Sequence, residues 1–153
     1  MYKVISGVAL LLACLLGAMW SGSSSSQSSG PLNEITLERS SDGHFYADVL
    51  VNGRSVRFLV DTGAGAVALT EEDARTAGIA VDPARFSSIG EGASGLVRGE
   101  FVSLDDVRLE KFAPADVKAA VVQGASVSLL GQPFLDRLDE IVIRKDVMIL
   151  RYS

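Results

Sequence analysis

From residue 34 onward the chain is built of short runs in which apolar and polar positions alternate, the two-residue period of a strand with one buried face. Ile35 and Leu37 alternate with Glu34, Thr36 and Glu38, and Ser40-Ser41-Asp42-Gly43 then supplies a turn. Strands are predicted over 44–51 and 54–60, joined by Asn52-Gly53, a pair that tolerates positive φ at both positions and so predicts a tight antiparallel hairpin. Residues 66–69 form another short apolar run. Thr70, with Asp73 three residues on, reads as a helix N-cap with a reciprocal acid, and Gly78 ends that helix. Gly90, Gly92 and Gly95 among small polar residues predict a mobile hairpin tip within 87–97. Strands follow over 96–104, 107–112 and 117–122, and residues 127–131 lead into a helix starting near Pro133, where proline removes no helical hydrogen bond. The last elements, 140–143 and 147–152, read as a hairpin around Lys145-Asp146. This is a mostly-β pattern with two short helices and no internal repeat, and it predicts a barrel that is closed or nearly so.

The first thirty residues have a different grammar. Lys3 precedes an apolar run over 4–20, and a Ser/Gly-rich polar linker follows over 21–33. As a helix the run would span roughly 25 Å, near the lower limit for crossing a bilayer and longer than most signal-peptide cores. Three readings follow: an uncleaved anchor in the inner membrane, a cleaved signal peptide, or, from Leu11-Leu12-Ala13-Cys14, a lipobox that would lipidate Cys14. Each delivers the remainder, residues 34–153, to the periplasmic side of a bacterial cell envelope, with Lys3 on the inner side. About 120 residues suit one domain with one core and leave no room for a two-lobed enzyme.

Composition narrows the function. The net charge of −5 argues against nucleic acid or an anionic membrane surface as partner, since both recruit clustered Lys and Arg. The single cysteine, Cys14, lies in the leader, so residues 34–153 hold neither a disulfide framework nor a thiolate metal cluster. One histidine, His44, cannot supply a multi-histidine metal site and would alone have to serve any Ser-His-Asp triad. Glu71, Glu72 and Asp73 are explained by the first turn of a helix, and Asp105-Asp106 by a turn without further ligands at calcium-loop spacing. The glycines at 90–95 lack the Gly-Lys-Ser/Thr ending of a phosphate-binding loop. No metal or cofactor is expected.

One acid stands apart. Asp61-Thr62-Gly63 directly follows the apolar 56–60 segment, which places a carboxylate at the mouth of a strand, and this triplet occurs once. By default such an Asp is a turn residue bonding its own backbone. Hydrolysis by carboxylates needs two of them, one ionised to deprotonate water and one protonated toward the substrate carbonyl. With one triplet per chain, the second carboxylate would come from another copy.

Taken together, Gly43-His44-Phe45-Tyr46, Val51-Asn52-Gly53, Phe58-Leu59-Val60-Asp61-Thr62-Gly63-Ala64 and Leu129-Leu130-Gly131-Gln132-Pro133-Phe134-Leu135 resemble the bacterial retropepsin-like aspartic proteases, over nearly the whole of 34–152. The resemblance implies a small β-barrel, one lobe per chain, that forms a homodimer acting on a peptide or protein substrate. It implies Asp61 as the catalytic aspartate, with Thr62 bracing the active-site loops across the dimer and Gly63 and Ala64 continuing the loop. Gly63 would permit a tight turn through unusual dihedrals. Leu129, Leu130 and Gly131 would form the strand that supports the loop, and Gly90, Glu91, Gly92, Ala93, Ser94 and Gly95 the flap over a bound peptide. The terminal hairpin, 140–152, would take part in the dimer interface. Gly65 departs from the polar or acidic residue usual at that position in the family, and the flap lacks an alanine-asparagine-glycine tip. These departures keep alternatives open: a barrel that binds peptides without cutting them, or a structural factor of the envelope.

Overall fold

The computed structural model describes residues 32–92 and 95–153. The apolar leader 1–20, most of the 21–33 linker, and Ala93 and Ser94 of the expected flap therefore lie outside the described residues. Among the described residues no helix is long and apolar enough to cross a membrane.

The elements in chain order are β1 (Asn33–Glu38), β2 (Tyr46–Val51), β3 (Arg54–Val60), β4 (Val67–Thr70), α1 (Glu71–Thr76), a single 3-10 turn (Pro83–Arg85), β5 (Ser87–Gly92), β6 (Gly95–Leu104), β7 (Val107–Arg108), β8 (Val117–Val122), β9 (Ser128–Leu130), α2 (Gln132–Leu135), β10 (Glu140–Ile143) and β11 (Val147–Tyr152). β1 begins at Asn33, one residue before the expected domain edge. Eight strands form one mixed sheet in the order β5-β6-β8-β4-β9-β3-β2-β7, and three form a second in the order β1-β11-β10. Both contribute to one core, in which Val49, Val56, Phe58 and Leu130 of the large sheet join Ile35, Met148 and Leu150 of the small one. Phe112 ties α2 to the last strand, with its ring 5.3 Å from Phe134 and 5.0 Å from Tyr152.

The β2–β3 hairpin forms as expected. Asn52 and Gly53 adopt φ of 51° and 74°, and pairing runs from Val51↔Arg54 to Tyr46↔Leu59. Its alternation places Ala47, Val49 and Val51 of β2, and Val56, Phe58 and Val60 of β3, in the core. The terminal hairpin also forms, with Ile143↔Met148 closing it, and β1 adds to the other side of β11. Arg151 on this central strand reaches Glu34 of β1 at 2.6 Å and also pairs with Glu140 of β10. The two carboxylates, Glu34 foremost, raise the guanidinium's pKa above its ordinary value.

Two expectations need correction. The predicted 107–112 strand stops at Arg108, because Glu110 takes φ of 53° and Leu109 and Phe112 exchange backbone hydrogen bonds across a tight turn. The capping box at Thr70 is only half formed. Thr70 Oγ1 accepts from the Asp73 N–H at 3.0 Å, but the reciprocal acid does not return to Thr70. Ser128, 1 % exposed, intervenes: its Oγ accepts from the Thr70 N–H at 3.0 Å and donates to Asp73 Oδ2 at 2.5 Å. Replacing Ser128 by Ala strands a backbone donor and a carboxylate together, so urea unfolding should show a loss of about 1–3 kcal/mol. A midpoint unchanged by S128A would show that the bridge contributes nothing.

Candidate active site

β3 delivers Asp61 to the edge of a cleft. The strand is held on one side by β2 and on the other by β9, which runs parallel to it with Phe58↔Ser128, Leu59↔Leu129 and Val60↔Leu130 in register. This register sets Asp61 beside Gly131, and the Asp61 N–H donates to the Leu130 carbonyl at 3.1 Å. From there residues 61–64 fold back on themselves. The Gly63 N–H donates to Asp61 Oδ1 at 2.9 Å and the Ala64 N–H donates to the Asp61 carbonyl at 3.2 Å. The loop is then pinned from α2, where the Gln132 N–H donates to the Ala64 carbonyl and the Gln132 Nε2 donates to the Thr62 carbonyl, both at 2.9 Å.

Asp61, Thr62, Gly63, Ala64, Leu130 and Gly131 are thus brought together in space, and Leu129 pairs beside both Leu59 and Ala68. Two local reasons differ from expectation. Gly63 does not have a positive φ; a Cβ there would lie 3.3 Å from Asp61 Oδ1, so close approach to the carboxylate replaces unusual dihedrals as the constraint. Gly131 is buried, and glycine is required there because a Cβ would lie 2.5 Å from the Ala64 carbonyl oxygen and closer still to that of Ala66. By contrast, Gly65 has nothing within 4 Å of the corresponding position. Gln132 was not singled out by sequence, although its place directly after the apolar-apolar-glycine strand was the available signal.

The cleft beside Asp61 has a volume of about 340 Å³ and is lined by Arg39, His44, Phe45, Leu59, Val60, Thr62, Ile143 and Met148 as well as Asp61. Arg39 is fixed there by donating to the carbonyls of Lys145 and Gly43, each at 2.6 Å, and by lying 4.3 Å from the Phe45 ring centre. His44 is exposed and its N–H donates to Asp42 Oδ1 at 3.0 Å. That bond, with the Tyr46 hydroxyl donating to Oδ2 at 2.8 Å, holds the Asp42 carboxyl below its ordinary pKa and pushes the Tyr46 phenol up. Asp42 therefore adds stability above the ordinary carboxylate range, and this is lost as pH falls through its lowered folded value.

Paired residues on one face of a sheet lie side by side. The registers Phe101↔Ala120, Ala120↔Ala68, Ala68↔Leu129 and Leu129↔Leu59 make one apolar row across five strands, ending two residues before Asp61 on β3. Phe101, at its far end, is 66 % exposed. The expected flap is a hairpin in which Gly92 pairs with Gly95 and Glu91 with Leu96, and Gly90 lies next to a bulge. It forms the end of the large sheet, and none of Gly90, Glu91, Gly92 or Gly95 lines the cleft. Among the described residues there is no cluster of His, Cys, Asp and Glu able to hold a metal.

Residues 47–137 match the family model described as gag-polyprotein aspartyl protease. The chain belongs to this retropepsin-like aspartic protease family. The matched span runs from β2 through α2 and contains both the Asp-Thr-Gly loop and its Gly131-Gln132 support. The retropepsin-like fold is also that of a solved retropepsin-like aspartic protease from Rickettsia conorii, with TM-score 0.67, 34% identity, and coverage of 80% of this chain and 93% of that one. The EIAV protease complexed with an inhibitor shares the fold at TM-score 0.53 and 20% identity, covering 65% of this chain and 91% of that one. An uncharacterized protein of Rickettsia prowazekii is 36% identical over 123 residues, and one of Sinorhizobium is 34% identical over 122. These alignments cover 79% and 77% of this chain, but the chain spans only about half, 52%, of each of those curated relatives.

Proposed function

We propose that the protein is an aspartic endopeptidase whose dyad is made of one Asp61 from each subunit of a homodimer. The observation that carries this reading is the Asp61 carboxylate itself: partly buried at the cleft edge, with Oδ1 fixed by the Gly63 N–H, and with Oδ2 making no hydrogen bond among the described residues. Two such groups held about 3 Å apart cannot both ionise, so they share one proton and titrate as a pair. Between the two apparent pKa values the ionised member takes a proton from water while the other donates to the peptide carbonyl. The tetrahedral intermediate then collapses with loss of the amine, and no acyl-enzyme forms. Leu59 in the cleft, with Leu129 paired beside it, would give the substrate an apolar floor, which suits peptides with apolar side chains beside the cleaved bond.

The interface in this proposal includes the terminal hairpin. β11 is flanked by β1 and β10, so the hairpin's free edge belongs to β10, whose Ile143 is 53 % exposed and lines the Asp61 cleft. Thr62, also exposed and in the cleft, would brace the loop of a second subunit. The leader 4–20 would hold the pair at the inner membrane, facing the periplasm, where anchoring raises effective concentration. Subunit mixing tests the shared site. After exchange with a ninefold excess of Asp61→Asn chains, cleavage of an unstructured protein per wild-type chain should fall about tenfold, as mass action sets the share of wild-type pairs. Activity that stays constant per wild-type chain would assign the whole site to one subunit.

A further inference from the structure

The Gln132 carboxamide and the Asp61 carboxylate are bonded to opposite ends of the same peptide unit. Gln132 Nε2 donates to the Thr62 carbonyl at 2.9 Å, and the N–H of that same amide, on Gly63, donates to Asp61 Oδ1 at 2.9 Å. A peptide unit is planar and rigid, so fixing its carbonyl direction fixes the direction of its N–H. A hydrogen bond accepted by the oxygen also draws electron density from the nitrogen and strengthens the bond that the N–H makes. The acceptor is a carbonyl, so the donating end of the side-chain amide is settled by chemistry. The backbone of Gln132 is anchored too, through its N–H to Ala64.

We propose that Gln132 is a positioning residue for Asp61, acting through the Thr62–Gly63 peptide to hold the carboxylate in place. The inference rests on the reading of Asp61 as the catalytic acid. Packing does not account for the side chain, since Gln132 is exposed, and Thr62 is exposed as well, so water could satisfy its carbonyl. Water would not restrict the carbonyl to one direction. The other ionisable groups facing Asp61 are Arg39 and His44 in the cleft and, in the proposed dimer, the second Asp61. β9 and α2 carry none within their bounds, Asp136 caps the far end of α2, and Arg57 on β3 lies over the Tyr46 ring and pairs with Asp48. All of these remain in a Gln132 variant, so a change at the Gly63 amide reports the lost hydrogen bond.

In the full-length chain carrying Gln132→Leu, the Gly63 amide proton, followed by NMR, should move upfield as its bond to Asp61 Oδ1 loosens. Against casein, kcat should fall about fivefold, the effect of one ordinary hydrogen bond, with KM and melting temperature unchanged. Gln132→Glu should recover activity at low pH, where its protonated carboxyl can donate to the Thr62 carbonyl, and lose it as that group ionises. A Gly63 amide that Gln132→Leu leaves in place would overturn the inference, even with casein cleaved normally. If it shifts while the wild-type chain leaves casein intact, the positioning role stands and the peptidase reading fails instead.

Discussion

Asp61→Asn is expected to abolish the proposed cleavage of an unstructured protein while leaving the fold intact. Asparagine matches aspartate in shape and its amide oxygen can still accept from the Gly63 N–H, so the loop of residues 61–64 keeps its bonds. The amide neither ionises in the working range nor carries a transferable acidic proton. General acid–base catalysis by positioned groups contributes about 10²–10⁴-fold. In a symmetric dimer the substitution removes both groups at once, so the residual rate should lie at or below the lower end of what either loss alone would leave. The measurement is cleavage at mildly acidic pH by matched preparations, with thermal melting to verify that both are folded. Equal cleavage by the two proteins would remove Asp61 from the chemistry. A wild type that binds peptide but cuts nothing, with its Asn form binding equally well, would leave the peptide-binding module as the function, and the uncluttered space at Gly65 is the feature that would fit it.

Much of this architecture is legible in the chain because it is written locally. The Asn52-Gly53 turn, the alternation of β2 and β3, the Thr70 cap and the terminal hairpin each depend on residues within a few positions of one another. What brings Gly131 beside Asp61 is the parallel pairing of β3 with β9, and the period of two within each strand specifies a face without naming the neighbour. The same limit applies to β4, which pairs in parallel with β8 and antiparallel with β9. Ser128 looks like an ordinary strand residue until the fold places it between Thr70 and Asp73. The break after Arg108 is hidden because Glu110 reaches its left-handed conformation without a glycine or asparagine to announce it. At the candidate site the triplet was readable and its reasons were not: Gly63 answers to the carboxylate beside it, and Gln132 reaches the loop only through tertiary structure.

Gly131→Ala is expected to unfold the support of the site from within. The added methyl would sit 2.5 Å from one backbone carbonyl oxygen and closer to a second, and no flexible side-chain end is available to yield, since the obstructing atoms belong to Ala64 and Ala66. Relief requires β9 and the loop to separate, which strains or breaks the bonds from Asp61 N–H to Leu130 and from Gln132 N–H to Ala64. Overpacking a close-packed interior costs about 1–3 kcal/mol, and a lost backbone bond adds about 1 kcal/mol, so a destabilisation of roughly 2–4 kcal/mol is expected. For a domain of this size that corresponds to a melting temperature lower by about 10 °C. Gly65→Ala is the matched comparison, in the same loop but with no atom within 4 Å and no positive φ; it should be neutral or slightly stabilising by reducing the freedom of the unfolded chain. Calorimetry on the pair separates packing from a general intolerance of the loop to substitution. Equal melting temperatures for the two variants would mean that Gly131 does not set the approach of β9 to the loop of residues 61–64, and the geometry that carries Asp61 would need another cause.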